Sequence, residues 1–321
     1  NSSKLYEIIA DEENIEFDIV KKGILHIYKN LHELEFARQT NKIYKLAGLD
    51  RWEVNKNEIN NIEPSLSDEN IVGGFYNTTD FTGDIHKFCM ELSDVLENKY
   101  NVKFIKHHAK NLNVELNNSD LVIVCAGIGS RRLANSIGDN LFIYPVKGYS
   151  ITINKPGNNS PWVSLLDDEK KIVTARLGTN RLRIAGTAEF TGYNTDIKWD
   201  RVRPLIRWAE TNFPNINTED IKPWAGLRPM TPNMMPIIKQ SNKNNNIFYN
   251  TGHGHLGWTL SAFTAKKISE LISEFFSIIS ACNISIQYPS GSSIKAKPFI
   301  FPSSGFLTNL TPNFSKRFDA L

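Results

Sequence analysis

Leu121-Val122-Ile123-Val124-Cys125-Ala126-Gly127-Ile128-Gly129-Ser130 is the stretch on which the fold turns. A continuous apolar run without polar alternation suits a strand buried on both faces, as in a parallel sheet covered by helices. The glycines that follow stand between the end of that strand and a helix. Backbone N–H groups in such a place can approach a phosphate or a ring system. Arg132 occupies the third glycine position, so the full GxGxxG spacing is absent. Spacing alone therefore reads Gly127 and Gly129 first as a tight strand-to-helix turn and second as a cofactor loop.

Upstream of this stretch, Leu31 to Leu46 and Asp84 to Tyr100 have the apolar spacing of amphipathic helices, with Asp84 near the start of the second. Strands are predicted within Ile15 to Tyr28, over Ile71 to Tyr76 and over Val102 to Ile105. Downstream, Phe142 to Ile153, Trp162 to Leu166, Lys171 to Ala175 and Arg181 to Ala188 read as strands separated by turns, an antiparallel pattern. A helix over Arg201 to Phe213, a strand over Asn246 to Asn250 and a helix over Leu260 to Phe276 follow. The order runs from α/β to antiparallel and back, which predicts one domain inserted into another. A length of 321 residues agrees with two domains at roughly 150 residues each. Ser280 to Leu321 is rich in Ser, Pro and Phe and reads as an extended wrap or a loose tail. The chain opens at Asn1 in what reads as the middle of a helix, so a segment upstream is expected.

Composition sets outer bounds. Hydrophobic residues at 40% and charged residues at 22% fit a globular protein and exclude a disordered chain or a collagen-like fibre. A net charge of +3 carries no argument for nucleic acid. Cys89, Cys125 and Cys282 are far apart and form no CxxC pair, so free thiols are expected and structural zinc is not. No run reaches the 18 or so apolar residues that span a bilayer.

Three further stretches carry chemistry. Thr251-Gly252-His253-Gly254-His255-Leu256-Gly257-Trp258-Thr259 precedes a long helix, whose first-turn amides and dipole favour negative charge. His253 and His255 have no nearby Cys, Asp or Glu to complete a metal set, so a glycine loop against a bound ring is the better reading. In Trp224-Ala225-Gly226-Leu227-Arg228-Pro229-Met230-Thr231-Pro232, an arginine beside prolines suits either a substrate carboxylate or an internal acid. In Tyr144-Pro145-Val146-Lys147-Gly148-Tyr149, glycine marks either ligand approach or a bulge. His86, His107 and His108 read as surface or helix residues.

Taken in order, Tyr144 to Ile153, Gly226 to Pro232 and Asn250 to Thr259, with Asp80-Phe81-Thr82-Gly83-Asp84 ahead of its helix, resemble the D-amino acid dehydrogenase group of the FAD-dependent D-amino acid oxidase superfamily. The resemblance runs to about Ile279. It implies an α/β (α+β) fold: an incomplete Rossmann-like FAD-binding domain with an inserted antiparallel-sheet substrate domain. By it, residues 1–70 and 141–221 belong to the substrate domain, 71–140 and 222–279 to the FAD-binding domain, and 280–321 to a divergent tail. The activity implied is oxidative deamination of a D-amino acid to a 2-oxo acid and ammonia, by hydride transfer to FAD. Electrons would pass to a membrane acceptor, and the location would be the bacterial cytoplasm or the cytoplasmic face of the inner membrane, as a peripheral protein. Matched by motif, Arg228 and Tyr149 are expected at the substrate. Gly127, Gly129, Lys147, Gly148, Gly252, His253, Gly254, His255, Leu256 and Gly257 are expected at the cofactor. No metal and no nucleic acid are implied.

Three departures accompany the match. The strand–GxGxxG–helix that holds the ADP half of FAD in the family is not found ahead of the first helix. The hairpin between Lys106 and Leu121 is short, and Ser280 to Leu321 does not follow the family ending. An incomplete or inactive version, a non-catalytic remnant without flavin, and a related oxidase of glycine, sarcosine or proline are the alternatives.

Overall fold

The computed structural model describes residues 2–281 other than 50 and 68, together with 286–287 and 293–294. The tail expected over 280–321, and Cys282 with it, lies almost wholly outside the described residues. The chain divides into two compact units. The first is drawn from Asn1–Ile8, Ser93–Tyr144 and Arg228–Leu321, the second from Ile9–Leu92 and Pro145–Leu227.

In chain order the elements are α1 (Ser2–Glu13), β1 (Ile24–Tyr28), α2 (Leu31–Leu46), β2 (Trp52–Val54), α3 (Lys56–Ile62), β3 (Gly73–Asn77) and α4 (Ile85–Asn98). Next come α5 (Leu112–Leu116), β4 (Val122–Val124), α6 (Ser130–Asn135), β5 (Tyr144–Asn154), β6 (Ser164–Asp167), β7 (Ile172–Leu177) and β8 (Arg181–Glu189). The series continues with α7 (Trp199–Asn212), β9 (Ile221–Met230), β10 (Ile237–Gln240), β11 (Ile247–Thr251) and α8 (Gly257–Ala281). The fold is mixed α/β.

The second unit is built on an eight-stranded sheet in the order β2-β3-β1-β6-β7-β8-β5-β9. β1 with β3, β2 with β3, β5 with β8, β6 with β7 and β7 with β8 pair antiparallel, while β1 and β6 run parallel, so the expected antiparallel sheet is real but not uniform. Leu25, Ile27, Tyr149, Ile151, Ile153, Leu182 and Ile184 point to one face of it and pack with Val202, Leu205, Trp208 and Phe213 of α7 and its C-terminal end. Alternation along each strand, with helical spacing in α7, makes that core. The Trp208 indole is placed as well as buried, because its Nε1 donates to Asp167 Oδ2 at 2.8 Å. Helix starts follow local chemistry. Asn30 caps α2, Asn55 and Glu58 form a capping box on α3, and Asp84 Oδ1 accepts from His86 N at 2.9 Å at the head of α4.

The first unit holds a three-stranded sheet, β10-β11-β4, with β11 parallel to β4 and antiparallel to β10. Val124, Ile247 and Tyr249 pack there with Leu112, Leu133, Leu141 and Ile143. One strand expectation fails, and one strand is unforeseen. Val102 to Ile105 forms no strand, and Phe104 and Ile105 lie exposed. Residues 221–230, by contrast, form a ten-residue strand that contains Pro223 and Pro229. β9 closes the edge of its sheet, where a residue without an N–H is tolerated.

Candidate functional site

In the first unit, β4 and β11 run side by side, with Val122 opposite Ile247 and Val124 opposite Tyr249. Both therefore end at the same sheet edge, and each leads through glycines into a helix. Gly127–Gly129 form a 3-10 turn ahead of α6, and residues 252–257 lead into α8. Beyond the carboxyl ends of parallel strands is where open α/β sheets hold ligands. Thr251 joins the two glycine segments. Its hydroxyl donates to Gly127 O at 3.2 Å, so Ser130, whose Oγ lies 2.8 Å from Thr251 Oγ1, donates to it in turn. Both side chains are buried.

The glycines here are of two kinds. A Cβ on Gly127, at φ +54°, would meet nothing within 4 Å; on Gly129 it would meet only Ala126 Cβ at 3.7 Å, and on Gly257 only His253 Cβ at 3.9 Å. Those three border open space. Gly252 (φ +74°) and Gly254 (φ +57°) are left-handed and covered, with Thr231 Cγ2 and Met230 Sδ each 2.8 Å from the Cβ they lack. Gly254 N also donates to Pro229 O at 3.0 Å. The end of β9 is thus fastened to the glycine turn.

That fastening brings Arg228 to the turn. The Arg228 guanidinium is half-buried, and burial draws its pKa below the ordinary arginine value. Burial, followed by the positive charge of Arg228, lowers the pKa of His255. Burial does the same to His253, whose Nε2 lies 2.9 Å from Thr264 Oγ1. Both imidazoles are consequently neutral near pH 7. The first turn of α8 contains no acidic residue, so its amides keep their attraction for an anion. Tyr6 holds that turn in place: its hydroxyl donates to Trp258 O at 2.6 Å, and its ring lies 4.2 Å from the indole. One residue before the turn, Asn250 Oδ1 is buried without a hydrogen-bond partner.

Of the residues expected at a site, Gly127, Gly129, Arg228, Gly252, His253, Gly254, His255, Leu256 and Gly257 all fall in this unit. Lys147, Gly148 and Tyr149 fall in the other, where their polar groups are engaged locally. Lys147, at 0% exposure, directs its ammonium to Glu189 Oε2 at 3.0 Å, Asn194 Oδ1 at 3.1 Å and Asp196 O at 3.0 Å. Tyr149 OH donates to Glu189 Oε2 at 2.6 Å, and Lys198 also binds that carboxylate. Lys198, Tyr149 and Lys147 together hold Glu189 down to about 2. Opposite Gly148 the β5–β8 register shifts, and Thr187 takes φ +55°, which is a bulge. Thr264 and Tyr6 lie outside every motif of the sequence reading, and Ser130 and Asn250 lie inside two of them without having been singled out. Each acts through a partner far along the chain or a single buried atom, and no short motif marks that.

A family model described as DAO, FAD dependent oxidoreductase, matches residues 1–271. The chain belongs to this family. It is 46% identical over 288 residues to D-amino acid dehydrogenase 3 of Mesorhizobium japonicum, covering 84% of this chain and 69% of that protein. With D-amino acid dehydrogenase of Dechloromonas aromatica the identity is 36% over 289 residues, covering 83% and 68%. In three dimensions it resembles glycine oxidase from Geobacillus kaustophilus, with a TM-score of 0.73 at 19% identity over 85% of this chain and 77% of that one. L-proline dehydrogenase from P. horikoshii gives a TM-score of 0.72 at 15% identity, with the same coverages. These two likenesses establish the fold alone. Family membership makes the protein an FAD-dependent oxidoreductase and an enzyme by class. Among the described residues, no helix is long and apolar enough to cross a membrane.

Proposed function

We propose that this protein oxidises D-amino acids, with Arg228 holding the substrate carboxylate and the glycine segments at the ends of β4 and β11 receiving FAD. The observation that carries the reading is the bond from Gly254 N to Pro229 O, which sets a half-buried guanidinium beside a glycine turn at the head of α8. The residues present fit a flavin. Gly127, Gly129 and Gly257 border space that any side chain would enter, and Asn250 Oδ1 is a buried acceptor lacking a donor. When bound, FAD supplies the acceptor for the hydride of the amino acid α-carbon, and water converts the resulting imine to a 2-oxo acid and ammonia.

The chain's own residues bind and orient. Arg228 offers two parallel N–H donors to the carboxylate, which fixes the α-carbon in position. The left-handed turn at Gly252 and Gly254 lets Thr231 and Met230 pack onto it, and the amides at the head of α8 would favour negative charge placed before them. Neutral His253 and His255 leave Arg228 as the cation of the turn. Lys147, Gly148 and Tyr149 serve the antiparallel sheet, as a buried charge cluster and a bulge. Electrons leave to a membrane acceptor, with the protein peripheral on the cytoplasmic face of the inner membrane.

The test is turnover of a panel of D-amino acids with FAD and an artificial electron acceptor. Oxidation of D-amino acids in preference to L-amino acids, glycine, sarcosine and proline is expected. Preference for one of the latter three overturns the substrate class. A protein that shows no flavin absorption band after reconstitution overturns the cofactor assignment.

A further inference from the structure

The arginines of β7 and β8 differ in what their guanidinium groups meet. Arg176 is buried and lies over the Trp162 ring at 4.4 Å. It donates from Nε to Gly178 O at 3.2 Å, from Nη2 to Thr179 O at 2.5 Å and from Nη1 to Ser160 Oγ. Arg181 donates from Nη2 to Asp84 Oδ2 at 2.5 Å. Arg183 also lies over an indole, that of Trp224, at 5.1 Å, and there the likeness stops. Among the described residues its N–H groups meet no hydrogen-bond acceptor, and its charge has no ion pair. Asp84 acts on that charge from a distance but is already held by Arg181. Arg183 is half-buried, and burial draws its pKa below the ordinary arginine value.

Local structure explains the placement. Leu182 and Ile184 belong to the core packed with α7, so Arg183 between them projects from the opposite face of the sheet. Its partners in register are short: Thr152 on β5 and Ala175 on β7, with Ala185 next along β8, opposite Ser150. Ser150 Oγ, on the same face, is buried without a hydrogen-bond partner. β9 lies beyond β5, so the Trp224 indole crosses over β5 to reach the guanidinium. Gly226 permits that posture, since a Cβ there would collide with the far edge of the indole. A guanidinium stacked on an aromatic ring keeps its planar N–H fork for an oxyanion, and the fork matches a carboxylate bidentately. A half-buried cation without a counter-ion is costly, and an arriving anion offsets that cost.

We propose that Arg183, set in place by Trp224, is a carboxylate-binding site of the second unit, additional to Arg228. Its occupant is a small organic acid, either the side-chain carboxylate of an acidic D-amino acid or a free dicarboxylic acid. The site does not rest on the proposed reaction; only the first of its two sources does.

Calorimetric titration of the full chain with glutarate, FAD being present, tests it. Arg228→Ala serves as the background, so that binding at Arg228 does not mask the site. Glutarate should bind this protein, and the uncharged glutaramide should not. Adding Arg183→Met should weaken glutarate binding roughly tenfold to a hundredfold, the effect of losing a charge-assisted pair. Arg183→Lys, which keeps the charge and loses the fork, should fall between. Trp224 is a positioning residue: Trp224→Leu should weaken binding roughly threefold, and Trp224→Phe should restore most of it. Neither side chain belongs to the core, so the melting temperature, checked in parallel, should stay at the background value. In the parent, where Arg228 is intact, the titration should show one more glutarate site than in Arg183→Met.

The ratio of kcat/KM for D-glutamate to that for D-alanine separates the sources. A fall in this ratio in Arg183→Met makes the occupant a substrate side chain. An unchanged ratio, with glutarate binding lost, makes it a free acid. Equal binding of glutarate and glutaramide, or glutarate binding that Arg183→Met or Trp224→Leu leaves undiminished, overturns the proposal. Glutarate binding that needs Arg183, without turnover of any D-amino acid, would strike the proposed reaction alone. Turnover by the parent without such binding would strike this site alone.

Discussion

Two polar clusters, one in each unit, began as similar glycine-bearing motifs and have ended as opposites. Around Lys147 the second unit closes on itself: three ammonium donors find Glu189, Asn194 and Asp196, and the Tyr149 hydroxyl finds the same carboxylate. Around Gly252 the first unit stays open. Three glycines border open space, the histidines are neutral, and the charge of Arg228 is felt by His255. A buried cluster whose donors and acceptors match one another stiffens a fold. A cluster with unmatched capacity at a sheet edge is built for something that arrives from outside.

The largest effect that would separate them is kinetic. Removing one partner of a buried charge pair costs about 3–5 kcal/mol. Arg228→Ala should therefore lower kcat/KM for a D-amino acid by roughly two to four orders of magnitude while the melting temperature moves little. Lys147→Met should do the reverse, lowering the melting temperature and leaving KM near the parent value. Steady-state kinetics and calorimetry on the two variants decide it. A near-normal kcat/KM for the Arg228 variant would break the comparison.

Next in size are the two kinds of glycine. Gly252→Ala combines left-handed strain of about 1–2 kcal/mol with overpacking of about 1–3 kcal/mol against Thr231 Cγ2 at 2.8 Å. Gly127→Ala carries the strain alone, because its Cβ meets nothing. Denaturant unfolding should find the Gly252 variant clearly the less stable. FAD titration should find that the Gly127 variant has lost affinity out of proportion to its small loss of stability. Equal affinity in the Gly127 variant and the parent would remove that glycine from the site.

These contrasts also show how far the residues speak locally. α2 is found over Leu31–Leu46, the bounds its periodicity predicts, since a helical stripe needs only neighbours three and four residues away. The strands around Val122 and Ile247 were legible as short apolar runs. β9 was not, because Pro223 and Pro229 argue against a strand unless the sheet edge is known. The commitment of Lys147 to Glu189 was illegible for a similar reason. It depends on a pairing of β5 with β8 and on a bulge at Thr187, neither of which has a local signature. Arg228 stood out by type, and its place beside the turn needed the bond from Gly254 to Pro229.

A smaller effect concerns a hydroxyl outside every motif. Thr264 Oγ1 donates to Ser261 O at 3.2 Å, so its 2.9 Å contact with His253 requires the ring to donate from Nε2. Thr264→Val keeps the shape and removes the acceptor, leaving a buried N–H unsatisfied at a cost of about 1–3 kcal/mol. Nitrogen-15 NMR of the histidine rings should show His253 protonated on Nε2 in the parent and in Thr264→Ser, with that assignment lost in the valine variant. An Nδ1-protonated ring in the parent would refute the arrangement.

The smallest expected effect is the difference in how the two clusters answer acid. Burial depresses the pKa of His253 and His255, so the folded state prefers the neutral rings. As pH falls through the ordinary value of 6.5, the unfolded chain takes up protons first, and the stability fully present above that point declines. His255 is exposed, and solvent screening makes His253 the larger contributor. Glu189 behaves in the same sense but lower on the scale. Its carboxylate is held at about 2, chiefly by Lys198, against an ordinary 4.5, so its contribution is complete above 4.5 and disappears only as pH falls from there toward 2. Denaturant unfolding across both windows should therefore give His253→Asn a shallower slope as pH falls below 6.5, and Glu189→Gln a shallower slope between 4.5 and about 2. Were both variants to flatten the same window, the open cluster and the closed one would not differ in the way their geometry requires.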